Sequence, residues 1–163
     1  MTQDHLRRIS AAYNYRSRGI EHLAKAAKSG NADAIEFAAQ TMAPLVPHGA
    51  ELVPIPSRTG RATITLALAK RIAEIQGGLH IRDVLCGVSR PSWREHKKAF
   101  GDANVPEWLK FEELTDGMAK TLQNPVCIDV VCATGATFGA ARAVVPAASL
   151  LVFAQDLLKR AAH

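Results

Sequence analysis

Residues 124–145 read NPVCIDVVCATGATFGAARAVV, and no other stretch restricts the fold as much. Val126, Cys127, Ile128, Val130 and Val131 form an apolar, largely β-branched run broken by one acid, Asp129. A short apolar run bounded by turn residues suits a strand buried on both faces of a parallel sheet. The small and apolar residues from Gly139 to Val145 suit the first turns of a packed helix. Between them, Ala133, Thr134, Gly135, Ala136 and Thr137 predict a tight loop. Such a loop aims backbone N–H groups, two hydroxyls and a helix N-terminus at one point, which is a site for a phosphate dianion. The same residues also suit an ordinary strand-to-helix turn.

The pattern of strand, glycine-containing loop and helix occurs a second time. Glu51–Pro56 reads as a short strand cut off by proline. The loop Ser57, Arg58, Thr59, Gly60, Arg61 follows, and then a helix from Ala62 to Gln76. Its apolar stripe is Ile64, Leu68, Ile72 and Ile75, with Leu66 and Ala69 beside it, and Gly77-Gly78 ends it. Arginines at a helix start oppose the helix dipole, so an anion there would explain them. A solvated turn is the alternative.

The remaining elements are read more simply. Ile9, Ala11, Tyr13 and Tyr15 alternate with polar residues within Arg8–Arg18, predicting a strand or hairpin edge. Gly19–Ser29 has helical spacing, with Gly30-Asn31 as its stop. Asn31 or Asp33 caps a next helix, Ala34–Met42, which Pro44 and Pro47 close. Ile81–Val88 suggests another strand. Leu109–Leu114 is a short strand or turn, Asp116–Leu122 a brief helix, Ala148–Phe153 a last buried strand, and Asp156–Ala162 a terminal helix.

Between these lies a basic segment. Arg90, Arg94, His96, Lys97 and Lys98 stand within nine residues, and the same segment holds Trp93 and Phe100. Long polar loops inside compact domains are usually functional. A solvated surface helix resting on the two aromatic rings is an equal reading.

At 163 residues, 48% hydrophobic and 21% charged, the chain suits a single domain, 1–163, with a real core. No apolar run reaches the ~20 residues needed to cross a bilayer. MTQDHLRRIS carries no apolar signal core, so a cytoplasmic protein with no membrane contact is expected. Cys86, Cys127 and Cys132 are too few for a disulfide framework, and the scattered histidines lack zinc-ligand spacing. The net charge of +5 suits a polyanionic small ligand. Nucleic acid ranks second, because only 6% of residues are aromatic and none interleave with basic residues as a stacking platform requires.

The 124–145 stretch resembles the phosphoribosyl diphosphate (PRPP) motif of type I phosphoribosyltransferases: an apolar strand, an acidic pair, then Thr-Gly-x-Thr. Asp129 matches the first acid, and Thr134, Gly135 and Thr137 match the loop. Val130 stands where the family has its second acid. Val-Pro-x-Pro followed by an arginine-rich loop is similar to the ComF-type competence branch. So is the front segment, a tyrosine-bearing strand and then a helix with Lys25 and Lys28.

The resemblance implies an α/β fold: a mostly parallel sheet with helices on both faces and the site at the strand C-termini. It implies that Ala133, Thr134, Gly135, Ala136 and Thr137 hold the 5′-phosphate and that Asp129 orients the ribose. Ser57, Arg58, Thr59, Gly60 and Arg61 would receive pyrophosphate, through backbone N–H groups and Arg58 or Arg61. A flexible loop would bring Arg90, Arg94 and Lys97 to the same anion. Asp129, Arg58 and Arg94 are the residues expected to act in catalysis. Mg²⁺ would rest on ligand oxygens with no direct protein ligand, unless Asp129 serves as one. Residues 1–47 or Lys110–Asp116 would supply the hood that chooses a base or amine acceptor, and a homodimer is compatible with the resemblance. The expected function is phosphoribosyl transfer to nitrogen with release of pyrophosphate. With Val130 in place of an acid, the alternatives are a non-catalytic phosphoribosyl-nucleotide-binding regulator or a ComF-like accessory to DNA uptake. A plain scaffold without a ligand is the third reading.

Overall fold

A computed structural model describes residues 8–91 and 109–157. Its centre is a five-stranded sheet in which every neighbouring pair is parallel. The strand β6 (Pro125–Cys132) occupies the middle. On one side it pairs with β7 (Ser149–Gln155), which pairs with the edge strand β1 (Ile9–Asn14). On the other side it pairs with β2 (Glu51–Pro54), which pairs with the short edge strand β3 (His80–Ile81).

Alternation along these strands divides the core in two, because successive side chains leave a strand on opposite faces. Val126, Ile128 and Val130 of β6 share one cluster with Leu52, Leu151 and Phe153. Three helices cover that face: α1 (Ile20–Lys28), α2 (Ala32–Met42) and α3 (Thr63–Gln76). Cys127, Val53, Leu150 and Val152 face the other way. There they meet Phe138 and Ala141 of α4 (Ala136–Val144). Val84, Leu85 and Phe111 complete this second cluster. Leu85 and Phe111 lie in an antiparallel ribbon of β4 (Leu85–Gly87) and β5 (Phe111–Glu113). The expected α/β architecture, a parallel sheet with helices on both faces, is therefore present.

One aromatic group locks α2 onto the sheet. Phe153 is fully buried, and the rings of Tyr13 and Phe37 meet it edge-on at centroid distances of 5.4 and 6.0 Å. Pairs of this geometry contribute about 0.5–1.5 kcal/mol each beyond the area they bury. At the head of α2 it is Asn31, not Asp33, that caps: its side chain accepts from the Ala34 N–H at 2.9 Å.

Three expectations change. Residues 81–88 are not one strand. The chain leaves the main sheet after Ile81 and re-enters β structure at Leu85 in the ribbon. The Arg82 N–H still donates to the Leu52 carbonyl at 2.8 Å, but its guanidinium turns to Glu51 at 2.7 Å, and Val84 N–H folds back onto the Arg82 carbonyl. Ile75 is 41% exposed and lies outside the buried stripe of α3. The stripe ends at Ile72, with Ala73 half-buried beside it, and the exposed Gln76 ties the end of α3 to the Ala43 carbonyl through its amide. Asp116–Leu122 holds only a 3₁₀ turn, Met118–Thr121. The terminal helix, apart from Asp156 and Leu157, falls outside the described residues, as do Arg94 and Lys97. Among the described residues no helix is long and apolar enough to cross a membrane.

Because the strands run parallel, the segments that follow β1, β2, β6 and β7 all emerge at one edge. The neighbours β2 and β6 bring Ser57–Arg61 and Ala133–Thr137 out side by side.

Candidate functional site

Asp129 sits on the central strand, half-buried, with Oδ1 accepting from the Val130 N–H at 2.7 Å. Burial pushes its carboxyl above the ordinary carboxylate range. Lys28, the N–H groups of Val130 and Val131, and Arg90 pull it back down, in that order. A carboxylate left partly desolvated on the middle strand of a sheet is expensive to hold, and such groups concentrate at functional sites.

Val130, at the position of the missing acid, is 1% exposed and packs in the cluster roofed by α1, α2 and α3. Its side chain points into the core, away from the edge where the two loops emerge.

After Cys132 the chain turns sharply. Gly135 has φ +81°, a left-handed conformation that glycine adopts without strain, and it serves as the N-cap of α4. The helix begins at Ala136, earlier than the Gly139 expected, so Thr137 lies in its first turn. A helix leaves its first N–H groups without intrahelical partners. Of these, the Ala136 N–H reaches the Thr134 hydroxyl at 3.3 Å, a long bond. No acid stands in the first turn of α4, so nothing negative in the chain itself complements that end of the helix.

The neighbouring loop is tightly wound. Ser57 N–H donates to the Arg61 carbonyl at 2.9 Å, and Gly60 N–H to the Ser57 carbonyl at 3.0 Å. The Ser57 and Thr59 hydroxyls lie 2.9 Å apart, and the Thr59 N–H reaches Ser57 Oγ at 3.3 Å. The amides of Ser57, Thr59 and Gly60 thus have protein partners. An anion here would meet side chains, Arg58 and Arg61 above all, rather than a cradle of open N–H groups. Arg61 also lines a cavity of about 470 Å³ with Thr63, Lys70 and Asp83, between α3 and the ribbon. The lining of that cavity includes neither Asp129 nor the Thr134 loop. The residue types gathered around Asp129 therefore identify the candidate site, not cavity size.

The ribbon delivers Arg90. Its N–H donates to the Arg58 carbonyl at 2.8 Å, and its guanidinium lies over the Phe111 ring, 5.3 Å from the centroid. Nη1 is buried and has no hydrogen-bond partner. Burial lowers the pKa of this guanidinium, and the Asp129 charge opposes that effect. A buried N–H donor without an acceptor costs about 1–3 kcal/mol, more when charged, so an oxyanion that reached it would be held firmly.

The structure places Asp129, Ala133–Thr137, Ser57–Arg61 and Arg90 about one edge of the sheet. It adds two residues that sequence reading gives no role at the site, although it names Lys28 as part of the front helix. Gly87 lies against Gly60, and the Lys28 ammonium opposes the upward shift of the Asp129 carboxyl. Neither has a local pattern, since both act through partners distant in the chain. Among the described residues no three His, Cys, Asp or Glu side chains gather as a metal site. One carboxylate between two cations is a poor direct cage for a divalent ion. No protein-family model matches the chain, and no curated protein matches it.

Proposed function

We propose that this protein binds PRPP or a nucleoside 5′-monophosphate at the edge formed by the β2 and β6 loops, as a type I phosphoribosyltransferase-like domain. One observation carries the reading. Two strand-to-helix loops, one at the start of α4 with no acid in its first turn and one with two arginines, emerge from adjacent parallel strands above the partly desolvated Asp129 carboxylate. A phosphorylated pentose bearing a second anion needs that arrangement.

In the proposed complex the Thr134–Thr137 loop receives the 5′-phosphate on Gly135, Thr137 and the start of α4. Binding would exchange the long Thr134–Ala136 bond for a bond to phosphate oxygen. Asp129 accepts from a ribose hydroxyl. Arg58 and Arg90 face the pyrophosphate. In the transfer step the acceptor nitrogen forms a bond to the anomeric carbon while the bond from that carbon to pyrophosphate oxygen breaks. The electron pair leaves on pyrophosphate, and the nitrogen then gives its proton to solvent. Mg²⁺ brought in with the ligand would supply further charge neutralisation. The chain's own part is electrostatic: cations placed where charge develops on the leaving group.

Incubation with PRPP, Mg²⁺ and pooled bases, read by pyrophosphate release, tests the reading. Release dependent on one base supports transfer. Failure of PRPP and nucleoside monophosphates both to bind and to raise the melting temperature rejects the whole proposal.

The burial of Val130 favours a second reading, a binder without turnover. With the second acid position turned into the core, ribose is gripped by one carboxylate only. Saturable PRPP binding without pyrophosphate release would select this reading. Salt-dependent DNA binding in place of PRPP binding would select the DNA-uptake role.

A further inference from the structure

We propose that Lys28 is a further ligand-binding residue of this edge, donating to an anionic oxygen where the pentose meets the pyrophosphate. The inference rests on the phosphoribosyl reading and adds to it a group from the N-terminal helical segment.

Three placements locate Lys28. First, α1 packs against β6 and β7, with Ala24 and Ala27 buried in the cluster that holds Val130 and Ala154. Lys28 follows Ala27 and lies one turn beyond Ala24, at the margin of that buried face. Second, Gly30 rests on the start of α3: a Cβ there would stand 3.3 Å from Ile64 Cδ1. Ile64 is three residues past Arg61, so the end of α1 adjoins the Ser57–Arg61 loop. Third, the Lys28 ammonium is near enough to oppose the upward shift that burial gives the Asp129 carboxyl, as Arg90 does from the ribbon. Lys28 thus lies between the carboxylate assigned to the ribose and the loop assigned to pyrophosphate.

Its state suits the role. Lys28 is exposed and forms no salt bridge among the described residues, whereas Lys25, one turn earlier, is held by Glu21 at 2.6 Å. With Val130 turned inward beneath α1, the group that reaches the edge from this side is an ammonium rather than a second carboxylate. An ammonium donates to anionic oxygen and, unlike a carboxylate, cannot ligate a metal ion. The site is thereby biased toward ligands with dense negative charge near the anomeric position.

The test measures dissociation constants for inorganic pyrophosphate, PRPP and ribose 5-phosphate by calorimetry, on the wild type and on Lys28→Met, Lys28→Gln, Lys28→Arg and Lys25→Met. The expected result is a loss of about tenfold for pyrophosphate and PRPP in Lys28→Met and Lys28→Gln. Lys28→Arg should recover most of it, and ribose 5-phosphate should be unaffected throughout. Lys25→Met should match the wild type. Equal losses at Lys25 and Lys28 would reduce the effect to net charge and overturn the proposal. Wild-type pyrophosphate affinity in both neutral Lys28 variants, with ribose 5-phosphate still bound, would overturn it while leaving the phosphoribosyl reading intact. A wild type that binds none of the three probes would overturn both.

Discussion

Gly60 and Gly87 meet backbone to backbone. The Gly87 N–H donates to the Gly60 carbonyl at 3.0 Å, and a Cβ on Gly60 would stand 2.0 Å from the Gly87 carbonyl oxygen. Together with the bond from Arg90 N–H to the Arg58 carbonyl, this contact fixes the Ser57–Arg61 loop to the ribbon as one body.

Gly60→Ala should therefore push the loop and the ribbon apart. Gly60 has φ +81°, so alanine also meets left-handed strain of roughly 1–2 kcal/mol. Gly77→Ala is the control: its φ is +70°, yet nothing lies within 4 Å of its added Cβ. The Gly60 variant should lose several degrees more of melting temperature than the Gly77 variant, and most of its PRPP affinity. Equal melting losses and unchanged affinity in both would show that the contact is not structural.

Asp129→Asn should separate stability from binding. Burial raises the carboxyl's folded pKa above its ordinary 3.8, so between those values the folded state holds more protons than the unfolded state. Stability then falls as pH rises through the window and stays lower above it. Removing the charge should raise the melting temperature at about pH 7, with the gain vanishing near pH 4, while ribose-containing ligands bind more weakly. Thermal melts at the two pH values check it. A destabilised variant at neutral pH would mean the carboxylate is held by structural bonds that outweigh its burial.

Arg90→Ala should weaken pyrophosphate binding by about 10–100-fold, the range of one charge-assisted hydrogen bond made in a partly buried site. Arg90→Lys should recover little, since a lysine cannot lie flat on Phe111 and reach inward at once. Titration with pyrophosphate measures both. Affinity unchanged by removal of the guanidinium would confine Arg90 to packing on Phe111.

Val130→Asp restores the acidic pair in sequence but not in space. The new carboxylate would be buried beneath α1 and α3 in a cluster of apolar side chains. A loss of about 3 kcal/mol or more is expected, and no gain in pyrophosphate release. Denaturant unfolding and the release assay test the two parts. A stable, more active Val130→Asp would show that the strand can rotate this side chain to the edge.

Much of this was readable from residues alone. The β6 strand and its loop announce themselves because a doubly buried strand must be apolar throughout, and Asp129 interrupts that pattern visibly. The helical stripe of α3 was readable except at its end. Ile75 fits the period, but full burial stops at Ile72, and the end of the helix is tied down by a bond from the exposed Gln76 to the Ala43 carbonyl, a partner that periodicity cannot reveal. The break at Arg82 was hidden for a related reason. Ile81–Val88 has strand composition, and only the pull of Glu51 on Arg82 shows where the chain leaves the sheet. At the site, the residue types of both loops were legible. The wound state of Ser57–Arg61 was not, since it depends on hydroxyl bonds and on Gly87 lying opposite. The inward set of Arg90 and the approach of Lys28 to Asp129 join segments far apart in the chain, and no local pattern encodes them.

The strand order also governs when the pocket can exist. Adjacent β2 and β6 come from positions more than seventy residues apart, and β1 finds its partner in β7 across a still longer interval. Pairings of such wide separation form slowly, because a large loop must close before any contact rewards it. During synthesis the arginine loop emerges long before the Thr134 loop that must stand beside it. A ligand gripped by both can therefore act only on the completed sheet, favouring the finished fold without guiding its early steps.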